Sequence, residues 1–177
     1  MTTNTTTKKT TTSRTRKTPA KSTSQPKEIK KLPPNPFMNE ILDLVHEQET
    51  DEDKVKVLQQ YANDALKTLL IWNYDESIIS LLPSGEVPYQ PNESPLGVDH
   101  SSLRRDYRNL YNFVKGGNDS LSKIRRETIF IQILESLHPN EADVLILVKD
   151  KNLEDKYDIS FDVVKQAYPD IVWGNRS

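Results

Sequence analysis

The first thirty-five residues have almost nothing to bury, and this constrains the fold more than any other feature of the chain. From Met1 to Asn35 there are nine basic residues, Lys8, Lys9, Arg14, Arg16, Lys17, Lys21, Lys27, Lys30 and Lys31, against the single acid Glu28, so the segment carries +8. Residues 2–12 are Thr or Lys throughout except for Asn4. Thr is β-branched and a poor helix former. A segment without large apolar side chains cannot recover the entropy lost on ordering. Disorder is therefore expected for a basic arm over residues 1–35, and Pro19 and Pro26 reinforce it. Pro33-Pro34-Asn35-Pro36 reads as a stiff, extended hinge. Folding is thereby assigned to residues 36–177. Because the whole chain stands at −2, that body carries −10.

The body has the length of one ordinary core, and its periodicity is helical. Phe37, Ile41, Leu44 and Val45 recur at the spacing of an amphipathic helix over residues 37–48. Thr50 followed by Asp51, Glu52 and Asp53 reads as an N-cap with first-turn acids. A longer helix is expected from there to about Leu70, with Val55, Leu58, Ala62, Ala65, Leu66 and Leu69 inward. Asp75 is placed as the cap of a short helix carrying Ile78, Ile79 and Leu82. Residues 83–100 contain four prolines and two glycines, so no helix can persist there. Val87 and Tyr89 are expected to pin this long loop to the core. A helix from Ser101 or Ser102 should bury Leu103, Tyr107, Leu110, Tyr111 and Val114 and stop at Gly116-Gly117. The next should start at Ser120 with Leu121, Ile124, Thr128, Ile131 and Leu134 inward. Pro139 suits a first helical turn, where Glu141 complements the helix dipole; Lys149 and Lys151 do so at the other end. Ser160 should cap a last helix through Ala167, with Trp173 sealing the core edge. The predicted fold is all-α, a compact bundle of six to seven short helices.

The sequence carries no catalytic signature. There is no Cys, so disulfides, thiolate metal sites and Cys nucleophiles are excluded. His46, His100 and His138 are far apart in sequence and have no partner at ligand spacing. Gly116-Gly117 is followed by Asn118, Asp119 and Ser120, without the lysine of a phosphate loop, and no nucleophile elbow is present. No cofactor is implied. The longest apolar run, residues 144–148, is far short of the ~20 residues of a membrane span. Two basic knots interrupt the acidic body: Arg104, Arg105 and Arg108, then Lys123, Arg125 and Arg126. If the two helices are neighbours, these cations could form a patch suited to phosphate or to a carboxylate-rich partner. Internal pairing with Asp106, Asp119 and Glu127 is the competing reading.

Four stretches carry a resemblance: residues 81–89 (LLPSGEVPY), 110–117 (LYNFVKGG), 125–142 (RRETIFIQILESLHPNEA) and 148–151 (VKDK). In these the body resembles a family of uncharacterised proteins from T4-like phages of marine bacteria, especially those infecting cyanobacteria. The resemblance implies a phage origin, with action in the host cytoplasm or in a virion. It implies no activity and no functional residue.

These readings converge on a non-enzymatic interaction protein. The arm would grip nucleic acid phosphates without sequence preference, and the acidic body would dock a protein partner. A virion or head-assembly component is the alternative reading, and an enzyme of unrecognised type or a nucleic-acid mimic are further ones.

Overall fold

Helix N-termini set this architecture, because each exposes backbone N–H groups that need acceptors. The computed structural model describes residues 1–2 and 29–176. The disorder expected of the arm, and the cations Lys8, Lys9, Arg14, Arg16, Lys17, Lys21 and Lys27, therefore lie outside the described residues. Among the described residues there are eight α-helices and no strand. They are α1 (Met38–His46), α2 (Asp51–Gln60), α3 (Asp64–Tyr74), α4 (Leu103–Asp106), α5 (Lys123–Ser136), α6 (Pro139–Lys149), α7 (Leu153–Tyr157) and α8 (Phe161–Ala167), with a 3-10 helix at Tyr107–Phe113 following α4. The all-α expectation holds. Helix α6 is central, packing against α1, α3, α5 and α7, while α2 packs on α1 and α8. It is apolar nearly all round, as a buried helix must be, with Ala142, Val144, Leu145 and Val148 all shielded from solvent.

Five helices are capped by their own N-cap side chain. Thr50 accepts from Asp53 N–H at 3.2 Å, Asn63 from Leu66 at 2.9 Å and Ser122 from Arg125 at 3.4 Å. His138 Nδ1 accepts from Asn140 at 3.2 Å, and Ser160 from Val163 at 3.3 Å. The other three, α1, α4 and α7, have no such local cap. Each receives one from another helix. Glu141, fully buried in the first turn of α6, accepts from Met38 N–H of α1 and Leu103 N–H of α4, both at 2.9 Å. Buried Asn73 on α3 accepts from Leu153 N–H of α7 at 3.1 Å. Glu141 thus gathers the starts of three helices, its own included, around one carboxylate.

Several expectations are corrected by the structure. The long helix from Thr50 is two helices, broken at residues 61–63, because Asn63 caps α3 and its amide turns back to the Tyr61 carbonyl at 3.0 Å. No helix follows Asp75. Its carboxylate takes the N–H and hydroxyl of Ser77 instead, and the chain then pairs with residues 113–115 through Leu81 N–H to Phe113 O (2.8 Å) and Lys115 N–H to Ile79 O (2.9 Å). After α4 the chain tightens into a 3-10 helix. Its period of three aligns Tyr107, Leu110 and Phe113 toward the core and leaves Tyr111 53% exposed. Gly116-Gly117 is a turn after this pairing rather than a helix cap. Gly116 has φ +80, and a Cβ on Gly117 would lie 1.9 Å from the Tyr111 carbonyl oxygen. Helix α5 begins after Ser122 and buries Arg126, Phe130, Ile133 and Leu134, while Ile124 is 79% exposed. An edge-on contact of Phe130 with Phe113 at 5.1 Å helps fix that rotation. Helix α7 had no predicted counterpart. The loop over residues 83–100 has no helix, and Val87 and Tyr89 pack on the core as expected.

Glu141→Ala leaves two buried N–H donors without acceptors, at about 1–3 kcal/mol each; urea unfolding should register the loss, and a change within experimental error would remove Glu141 from this role. His138 caps α6 through an unprotonated Nδ1, and burial, then the neighbouring His100 ring at 5.2 Å, lowers its pKa. The unfolded chain therefore takes up this proton first as pH falls below about 6.5, and the stabilisation is lost on the acid side. His138→Asn keeps a capping side chain without titrating there, so between about pH 7.5 and 5 the wild-type Tm should fall further than that of the variant.

Candidate nucleic-acid interface

The root of the basic arm is held to the body. Ile29 and Leu32 pack against the core, and Leu32 N–H donates to the Tyr61 hydroxyl at 2.9 Å. Pro36 is buried, and Asn35 between the prolines has φ +56, so the segment bends here instead of running straight as the prolines suggest. Lys30 and Lys31 are exposed on this root.

The six cations of the two basic knots have different fates. Arg104 donates through Nη2 to the Pro36 carbonyl at 3.0 Å, tying α4 to the start of α1. Arg126 is only 6% exposed and donates to the carbonyls of Asn112 (2.8 Å) and Asn118 (3.0 Å). Both guanidiniums therefore hold backbone turns together. Arg105, Arg108, Lys123 and Arg125 are exposed. Lys123 lies 3.9 Å from Glu127 along one face of α5, a spacing and exposure at which an ion pair contributes little. Arg108 lies over the Tyr107 ring at 5.7 Å and donates to its hydroxyl at 3.3 Å. The competing expectation was pairing with acids; for Arg104 and Arg126 the partners shown are carbonyls.

A second polar constellation secures the proline-rich loop. Lys149 lies in the last turn of α6 but is 3% exposed. Its ammonium donates to Pro83 O at 2.8 Å, Gly85 O at 3.1 Å and Asp150 Oδ1 at 2.5 Å, which uses all three of its hydrogens. Asp150 Oδ2 in turn accepts from Gly85 N–H at 3.1 Å. Lys151, in a left-handed conformation, donates to the Asp75 carbonyl at 2.7 Å. Beside this clip is a cavity of about 100 Å³ lined chiefly by Leu82, Val87, Pro88, Phe130 and Ile131. The burial of Lys149 was readable in principle, because it continues the inward stripe of Ala142 and Leu145 at helical spacing.

His100 and His138, distant in sequence, stand edge to face, yet among the described residues no three His, Asp or Glu side chains converge as a metal-ligand set. Among these residues no helix is long and apolar enough to cross a membrane.

The four stretches singled out in the sequence interlock in this fold. Residues 81–89 meet 148–151 through the Lys149 clip, and residues 110–117 meet 125–142 through Arg126 and the Phe113–Phe130 contact. A family model, described as a family of unknown function (DUF6433), matches residues 41–155. The chain belongs to that family. No curated protein and no solved structure matches. The region shared with the DUF6433 family runs from within α1 into α7 and includes Glu141, Leu103 and the Lys149 clip, while Met38 lies just before it. The basic arm lies outside it.

The clip gives its own test. Lys149→Met removes a buried ammonium, takes the ion pair from Asp150 and takes a donor from each of the Pro83 and Gly85 carbonyls, so stability should fall by about 3–5 kcal/mol. Limited proteolysis should then cut within residues 83–100 at a rate well above wild type. Unchanged cleavage there would mean that the loop is held by its apolar contacts alone.

Proposed function

We propose that this protein is a phage-encoded, nucleic-acid-associated interaction protein without catalytic activity, made in the host cell during infection. Its basic arm holds phosphates without sequence preference, and its acidic body engages a protein partner. The observation that carries this reading is the charge division, +8 on the arm against −10 on the body. Such an arm gains binding free energy from counterion release. It has no aromatic residue, so base stacking has no part in its grip. The anchored root supports the reading further, since Leu32 on Tyr61 fixes where the tether leaves the body. Phage origin rests on the four resembling stretches.

The test is salt-dependent binding to duplex DNA by the full chain and by a form lacking residues 1–28, which spares Ile29 and Leu32. With nine arm cations the slope of log K against log salt should be negative and no steeper than about −8. Removing the seven cations before Ile29 should abolish measurable binding at physiological salt. Salt-independent binding, or equal binding by the shortened form, would overturn the assignment.

A further inference from the structure

We propose that the cavity between α3 and the 3-10 helix is a binding site for a single unpaired nucleotide, stacking its base on tyrosine and placing its phosphate at Arg108. The cavity measures about 330 Å³, and its lining includes Ile71, Trp72, Tyr107, Arg108, Tyr111 and Arg176. That is within the range of small-ligand pockets. It uses none of the arm's cations, so it stands apart from the function proposed above.

Three observations select the ligand. The first is aromatic surface left open to solvent. The 3-10 register turns Tyr111 outward at 53% exposure, although it lies between buried Leu110 and the Asn112–Phe113 pair. An exposed tyrosine beside a cavity is a platform on which any base can stack. The second is a buried donor. Trp72 is 2% exposed, lies against Phe113 at 6.3 Å, and its indole Nε1–H has no acceptor among the described residues. A buried donor without an acceptor is costly. Trp72 is part of the cavity lining, so a base seated there brings ring nitrogens and carbonyl oxygens near the indole, where a hydrocarbon ligand brings none. The third is charge. Arg108 makes no ion pair among the described residues, with Asp64 the acid that acts on it electrostatically. Arg176 is engaged by the Asp75 carboxylate at 2.7 Å and by the Val172 carbonyl. The open cation is therefore Arg108, held by the Tyr107 hydroxyl at the cavity, where it can meet a phosphate while the Tyr111 ring meets the base. Bases within a duplex are stacked and paired, so the site selects single-stranded or free nucleotides.

The chain has two tryptophans, so an NMR spectrum of the full-length protein has two indole N–H signals, which Trp72→Phe assigns. Adding deoxyadenosine monophosphate at millimolar concentration should move the Trp72 signal and leave that of Trp173 in place. Tyr111→Ala should weaken binding about tenfold, in line with the 1–3 kcal/mol of one stacked base. Arg108→Ala should weaken binding of the monophosphate and leave that of the nucleoside unchanged. The Trp173 signal reports whether each variant remains folded. No movement of the Trp72 signal, or equal affinity in Tyr111→Ala and wild type, overturns the proposal. An acidic tyrosine-containing peptide that binds the same cavity more tightly than the nucleotide would assign it to a protein partner and overturn it as well. Because the probe is a mononucleotide, failure here leaves the salt-dependent binding of the arm untouched.

Discussion

The fold depends on the buried carboxylate of Glu141. A lone charge in a protein interior is strongly unfavourable, and burial raises the pKa of this one, with the Met38 and Leu103 N–H groups and Arg104 acting against the rise. What offsets the burial is position. Glu141 lies in the first turn of its own helix and accepts from the first residues of two others, so three helix N-termini converge on one anion, where their partial positive charge is greatest. At the far end of α6, about 12 Å along the axis, Lys149 repeats the logic with the opposite sign. A cation there is favoured by the helix C-terminus, and its three hydrogens go to two loop carbonyls and Asp150. The central helix thus carries an apolar body between two buried charges, each of the sign its terminus favours. One gathers the helices and the other closes the loop.

This division explains which parts of the fold were legible in the sequence. Helix starts at Thr50 and Ser160 are visible because the cap and the capped N–H are three residues apart. Asn63 and Ser122 carry the same local signal, and passing over them merged α2 with α3 and started the fifth helix early. The helices starting at Met38 and Leu103 are legible from their apolar spacing, but their acceptors, 103 and 38 residues away, are not, and the start at Leu153, whose acceptor lies 80 residues away, was missed. Glu141 and Lys149 read as dipole-complementing charges, a reading that leaves their burial out. Their distinguishing mark was that each falls on the buried stripe of α6, with Val144, Leu145 and Val148 following Glu141 at helical spacing.

The candidate sites were partly legible for a related reason. Clusters of arginine are conspicuous in an acidic sequence, but their roles depend on rotation about the helix axis. In the fifth helix, Arg125 points to solvent and its neighbour Arg126 is buried on two carbonyls. In the segment after the loop, a pattern read at 3.6 residues per turn buries Tyr111; the 3-10 period buries Phe113 in its place. That change of period, which neither composition nor motif announces, is what sets an aromatic ring and Arg108 beside the cavity.

The arm and the cavity become more useful together than apart. A mononucleotide pocket with one stacking ring and one cation is expected to bind weakly, because immobilising a small ligand consumes much of the contact energy. A basic arm alone holds nucleic acid without selecting its form. Joined in one chain, the second contact is intramolecular, and its effective concentration is set by the connecting segment. On the side of the body that connection is held in place: Leu32 is held on Tyr61, Pro36 is held by Arg104, and four residues beyond Arg104 comes Arg108. A strand gripped by the arm would therefore present unpaired bases near the tyrosines at high local concentration. The pair would bind single-stranded nucleic acid more tightly than the pocket alone, with the pocket supplying the discrimination against duplex, and that discrimination would show most as salt weakens the arm's contribution relative to stacking.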